Sequence, residues 1–207
     1  TAETSVRVDE PNKLSVSASA TDVSCNGGSD GSASASGSGG TAPYTYTWSD
    51  GQTGSSATGL SAGNYKVTIT DKNNCTAETS VRVDEPNKLS VSASATDVSC
   101  NGGSDGSASA SGSGGTAPYT YTWSDGQTGS SATGLSAGTY KVTITDKNNC
   151  TAETSVRVDE PSKLTVSASA TDVSCNGGSD GSASASGSGG TAPYTYTWSD
   201  GQTGSSA

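Results

Sequence analysis

Five cysteines, twenty carboxylates and no histidine set the chemistry open to this 207-residue chain. The cysteines fall in two contexts, DVSC at Cys25, Cys100 and Cys175, and KNNC at Cys75 and Cys150. There is no CxxC pair and no histidine to complete a metal site, so the spacing favours disulfides. One cysteine of each kind recurs 50 residues apart, and closing a loop of that length stabilises by about 4 kcal/mol in the chain-entropy model. The expected pairs are Cys25–Cys75 and Cys100–Cys150, with the partner of Cys175 lying beyond residue 207. Such bonds imply an oxidising, extracellular location.

Other chemistry is sparse. Without histidine or a free thiol, no serine has a base to activate it, so an enzyme is not expected. Asp22, Asp30, Asp50 and Asp71 recur in every complete repeat and could gather at module ends around a structural calcium ion. Their spacing matches no DxDxDG loop, and solvated turn aspartates are the commoner case, so no cofactor is expected. Tyr44, Tyr46 and Trp48, with Tyr119, Tyr121 and Trp123 one period on, could stack on surface glycans if exposed. A core stripe, joined by Tyr65 and Tyr140, is the preferred reading because little else here can fill a core. Thr45, Thr47, Thr68 and Thr70 form TxT patterns that could template ice, although threonine is simply a good exposed strand residue. Asn74-Cys75-Thr76 has the form of a glycosylation triplet, with a cysteine expected in a disulfide at its centre. An isopeptide crosslink from Lys13 or Lys66 would be redundant beside a disulfide.

What must position these residues is a repeat. TAETSVRVDEP begins at Thr1, Thr76 and Thr151, so a 75-residue unit is read two and three-quarter times. Leu, Ile and Val together make up only about a tenth of the chain and the net charge is −10, values that alone suggest disorder. The period overturns that prior and reduces the chain to one small module used several times. Seven carboxylates against four basic groups per unit speak against nucleic acid and anionic membranes as partners. No apolar run approaches the roughly 18 residues of a membrane span. No signal peptide opens the chain, so an export signal or anchor is expected outside it.

Within each unit, short runs alternate with period two between Gly, Asn, Asp and Pro breaks, the pattern of half-buried strands. LSVSASA, SASAS, YTYTW, YKVTIT and CTAETSVRV, beginning at Leu14, Ser32, Tyr44, Tyr65 and Cys75, are the clearest. NGGSDG and GSGGTAP read as tight turns between them. SASAS reads as a strand of minimal side chains that lets Tyr44, Tyr46 and Trp48 fill the space opposite. The predicted class is all-β: tandem Ig-like β-sandwich modules in an extended linear array, joined at DEPNKL by Pro11, Pro86 and Pro161. Residues 1–11 then form the C-terminal strand of a preceding module, 12–86 and 87–161 two complete sandwiches, and 162–207 a truncated third. Four strand crossings between Cys25 and Cys75 would return the chain to one pole, as their disulfide needs. Six in all would leave both termini at one end, which suits a linear array badly. Either QTGSSATGL holds two short strands or the segment before Cys25 does not cross fully.

These phrases together carry a family resemblance. VSCNGGSDGS, GGTAPYTYTWSDG, LSAGNYKVTITDKNNC and the closing VDEP resemble the SprB-type repeat of giant surface adhesins of gliding Bacteroidota. Where this chain has Ala33 and Ala35, family members usually place Ile or Val. The resemblance implies a cell-surface adhesive filament, exported by the type IX route and associated with gliding motility. The function expected is structural and adhesive: a disulfide-stapled rod or filament whose partners are neighbouring repeats, other chains of a filament, or surface glycans. A glycan- or ice-binding module acting by avidity, and a self-assembling multi-chain fibre, are the alternatives.

Overall fold

The computed structural model describes residues 1–207, and every regular element in it is a β-strand. The first repeat contains β1 (Ser15–Thr21), β2 (Gly31–Ser38), β3 (Thr45–Trp48), β4 (Ser56–Leu60), β5 (Gly63–Thr70) and β6 (Thr76–Val83). The second contains β7 (Ser90–Thr96), β8 (Gly106–Ser113), β9 (Thr120–Trp123), β10 (Ser131–Leu135), β11 (Gly138–Thr145) and β12 (Thr151–Val158). β13 (Thr165–Thr171) and β14 (Ser182–Ser188) follow. Each of the first two repeats forms two three-stranded antiparallel sheets, β1-β2-β4 with β3-β5-β6, and β7-β8-β10 with β9-β11-β12. The fold is all-β, with Ig-like sandwiches in tandem.

The core lies where the alternation places it. Ala33, Ala35, Ala57 and Leu60 of one sheet meet Trp48, Val67 and Val83 of the other in one buried cluster that also holds Val23. Val67, Ile69 and Val83 are completely buried and Trp48 retains 2% exposure. Burying each such side chain stabilises by about 1.5–3 kcal/mol, so a handful of large groups sustains a module otherwise made of alanine and serine. Close approach is essential: a Cβ added at Gly31 would lie 2.7 Å from both the Leu60 carbonyl oxygen and Val83 Cγ1. On the outer face of β1–β2, Ser15–Ser38, Ser17–Ser36 and Ser19–Ser34 join hydroxyls at 2.8–3.0 Å.

Register fixes the direction of every strand. β1 and β2 are antiparallel, with Thr21 opposite Ser32 and Ser15 opposite Ser38. β3 covers only one half of β5, pairing Thr45 with Thr70 and Trp48 with Val67. β4 covers only the other half of β2, pairing Ser56 with Ser34 and Leu60 with Gly31. The chain thus changes sheets at mid-height, and β3 and β4 together make one crossing. Six strands make five crossings, and the chain enters and leaves the sandwich at opposite poles. QTGSSATGL holds one strand, and the short reach of β3 resolves the conflict over termini.

Segments equivalent in sequence differ in structure according to their neighbours. Thr1–Val8, expected as a C-terminal strand, is not in a strand, and Val6 and Val8 are 90% exposed. Its equivalents β6 and β12 pair along their whole length with β5 and β11, and no such partner precedes Thr1 in the 207 residues. Residues 162–207 form the two-stranded β13–β14 sheet, in which Val166 is 72% exposed for want of a covering sheet. By contacts the chain divides into two units. One comprises Thr1–Ser90, Ser113–Pro118 and Asp146–Cys150, and the other Val91–Gly112, Tyr119–Thr145 and Thr151–Ala207.

Candidate functional site

The cysteines, with Asp22, Asp30 and Asp71, lie at the poles of the repeats. In the first repeat, the loop after β1 carries Cys25 and is laced to the segment after β6. Val23 N donates to the Asp84 carbonyl at 3.0 Å, and Asp84 N donates back to Asp22 Oδ1 at 2.8 Å. Gly27 N donates to Glu85 Oε2 at 2.6 Å and Asn26 Nδ2 to the Pro86 carbonyl at 3.1 Å. Ser24 N donates to Asp30 Oδ1 at 3.0 Å, and hydrogen bonds from Ser24 hold the Asp30 carboxyl below its ordinary pKa. NGG and DEP are thus two halves of one clasp, and the second repeat repeats it around Cys100 through Asp97, Gly102, Asp159 and Glu160.

The opposite pole carries Cys75, organised by one buried carboxylate. Asp71 Oδ2 accepts from Thr41 N at 2.9 Å, while Oδ1 accepts from Asn73 N at 2.8 Å and Cys75 N at 2.9 Å. Asp71 N donates to the Cys75 carbonyl at 3.0 Å, closing the loop. These amides, led by that of Thr41, hold the Asp71 carboxyl below the usual carboxylate range against the opposing effect of burial. In the second repeat burial acts most strongly on Asp146, upward, yet the amides of Thr116, Cys150 and Asn148 outweigh it and its pKa is also lowered. Asn74 takes a positive φ of 63°, a conformation asparagine tolerates better than most residues.

This placement corrects the expected cysteine pairing. The structure contains one disulfide, Cys25–Cys150, with Cα atoms 5.8 Å apart, and neither Cys25–Cys75 nor Cys100–Cys150 is formed. Cys75, Cys100 and Cys175 are free and exposed. The cause is the crossing count. Cys25 follows a strand that rises to one pole and Cys75 follows one that descends to the other. They are separated by a seven- to eight-residue strand, roughly 25 Å at about 3.3 Å per residue, where a disulfide tolerates at most about 7 Å between Cα atoms. Cys150 occupies the equivalent of the Cys75 position, and in the first unit it lies against the Cys25 loop. Asn148 Nδ2 donates to the Ser24 carbonyl there at 3.0 Å.

The aromatics divide between core and rim. Trp48 and Trp123 are each 2% exposed, with indole N–H groups donating to the Gly54 and Gly129 carbonyls at 3.0 Å. Tyr46, Tyr65, Tyr121 and Tyr140 are half-buried against the two cores, where Tyr46 Oη accepts from Gly37 N at 3.1 Å and Tyr65 Oη donates to the Ser61 carbonyl at 3.0 Å. Tyr44, also half-buried, donates to the Gly39 carbonyl at 2.6 Å, and Tyr119 is half-buried beside Gly112. The hydroxyls of Tyr44, Tyr46, Tyr65, Tyr121 and Tyr140 each meet a backbone partner there.

The four carboxylates considered for calcium are dispersed: Asp22 and Asp30 at one pole, Asp71 at the other, Asp50 binding Gln52 in the β3–β4 turn. No three His, Cys, Asp or Glu side chains converge as metal ligands. Lys66 Nζ lies 3.2 Å from Glu78, an exposed pair worth little. No helix is long and apolar enough to cross a membrane. Sequence reading missed the Asp71 and Asp146 clamps and the NGG–DEP clasp. The signal available was their recurrence as fixed phrases, DKNNC and NGG with DEP.

Among solved structures, similarity extends to an amphioxus IgVJ-C2 molecule, 15% identical over 57% of this chain and 89% of that one, TM-score 0.29. A tetra-tandem repeat in the extending region of a large adhesion protein is 18% identical, covering 97% of this chain and 63% of that one, TM-score 0.27. Dpr2 Ig1-Ig2, in complex with DIP-Theta Ig1-Ig3, is 11% identical over 86% of this chain and 77% of that one, TM-score 0.27. No curated protein matches. The SprB repeat model matches residues 17–53, 92–128 and 167–203, once in every copy of the unit and over more than half of the chain. With its β1–β3 phrase matched in all three copies, the chain belongs to the SprB repeat family.

Proposed function

We propose that this chain is a stretch of an extracellular structural and adhesive protein on a bacterial surface, in which the repeats act as serial spacers in adhesion or gliding motility. The observation that carries the reading is where the polar chemistry sits. The clasps and clamps are concentrated at the poles, where repeat meets repeat, while the sheet faces carry paired serines and threonines. Membership of the SprB repeat family supports the surface role, and the disulfide supports an oxidising location. Type IX export and attachment to neighbouring repeats, other chains or the substratum belong to the same reading. Against the glycan-binding alternative, Trp48 and Trp123 are buried and their N–H groups engaged, leaving the indoles no free face for a sugar.

The test is an antibody to the repeat applied to living, unpermeabilised cells of the source organism. Surface labelling, with loss of attachment or gliding when the antibody is added, is the expected result. Labelling only after permeabilisation, or undisturbed attachment and gliding, would refute the reading.

A further inference from the structure

The Cys25–Cys150 bond leaves Cys75, Cys100 and Cys175 free, and the period of the chain says what they are for. Cys25 and Cys100 are the same residue of successive repeats, as are Cys75 and Cys150. Two of the free thiols, Cys75 and Cys100, are held as their bonded counterparts are. Cys150 N donates to Asp146 Oδ1 at 2.9 Å, as Cys75 N does to Asp71 Oδ1. The loop of Cys100 is clasped by Gly102 N to Glu160 at 2.6 Å, as that of Cys25 is by Gly27 N to Glu85. Cys75 and Cys100 thus keep the local frames of Cys150 and Cys25 without a bond.

We propose that in a continuous run of these repeats every DVSC cysteine is joined to the KNNC cysteine of the repeat that follows it. Cys100 takes the KNNC cysteine of a completed third repeat, and Cys75 takes the DVSC cysteine of a repeat preceding the first. Each bond converts two thiols to one disulfide with release of two protons and two electrons. A disulfide-bearing oxidant accepts the electrons by thiol–disulfide exchange and is itself reduced to a dithiol. No repeat is closed on itself. Each junction is spanned twice, by the peptide at DEPNKL and by sulfur.

The resulting covalent network is interleaved. From Cys25 the shortest bonded path steps 125 residues to Cys150, follows the backbone for 25 residues to Cys175, and steps again. Strands equivalent to β2–β5 lie off that path, so tension along the array is carried by the β6-linker-β1 type of segment and the disulfides.

Two measurements test this on oxidised, unreduced protein, independently of any role in adhesion. First, alkylation of the unfolded 207-residue chain followed by intact-mass measurement should count three free thiols, where pairing within repeats leaves one. An array of complete repeats should show two free thiols whatever its length, where pairing within repeats leaves none. A count of one for this chain, a count of none for the array, or reductant-sensitive species of twice the mass, overturns the proposal. Second, the chain is cut at a protease site inserted between Asn87 and Lys88. Its halves should run as one band on a denaturing gel until reductant is added, and Cys25→Ser should release them without it. Halves that separate in the parent protein without reductant overturn it as surely.

Discussion

At the residue scale, a few positions carry more than their size suggests. Gly31 and Gly106 lie where the two sheets approach closely, and a methyl group there meets backbone as well as a valine. Gly31→Ala and Gly106→Ala should each destabilise by about 1–3 kcal/mol through overpacking, read from urea unfolding. Gly181→Ala, in the same local sequence without the covering strands, should be nearly silent, and equal effects at all three would show that local conformation matters more than packing. Asp71 and Asp146 make the second case. Because their folded pKa values are lowered, the stability they confer is fully present above the ordinary carboxylate pKa of about 4 and drains away as pH falls through the folded value. Unfolding midpoints should hold steady between about pH 5 and 8 and drop below about pH 4. The double variant Asp71→Asn/Asp146→Asn should be less stable at neutral pH and show a shallower acid fall. An unchanged acid slope would assign that fall to the other carboxylates.

At the scale of the element, most strands were legible because alternation survives even when alanine is the only apolar partner. SASAS reads as a strand from its period alone, and β2 occupies Gly31–Ser38. The length of β3 was not legible. YTYTW promises a full crossing, but its pairing with β5 stops at Trp48–Val67 and the chain resumes as β4 in the other sheet. Where a strand leaves its sheet is decided by tertiary register rather than by local preference, so the crossing parity and the disulfide partners were misjudged together. Thr1–Val8 makes the complementary point: the sequence of a strand is not a strand without an edge to pair with. The tryptophans give a direct reading of sheet coverage. Trp48 and Trp123 are buried while Trp198 is partly exposed, so acrylamide should readily quench about one third of the emission, one tryptophan of the three. Trp198→Phe should abolish that fraction. Uniform quenching of all three would mean that the sandwiches do not close over their indoles.

At the scale of the whole molecule, composition and structure pull in opposite directions. A chain this poor in large apolar groups reads as disordered until the period is noticed, and two small cores account for the difference. Each core draws on a single repeat, as in other repeat proteins where neighbours interact only with neighbours. The clasp at DEP ties each linker back to its own repeat through Glu85 and Glu160. Glu85→Gln/Glu160→Gln should loosen that tie, shown by faster cleavage after Lys88 under limited proteolysis, with the tryptophans still shielded. An unaltered cleavage rate would place the stiffness of the linker in its proline instead.

The odd number of crossings also bears on inheritance. Unequal recombination between near-identical copies of a gene segment adds or removes whole units. When the two sulfur atoms of a unit face opposite neighbours, any such event brings in or takes away one of each kind together, and every internal site still finds its mate. The length of the array is therefore free to drift between generations while its reading phase is not.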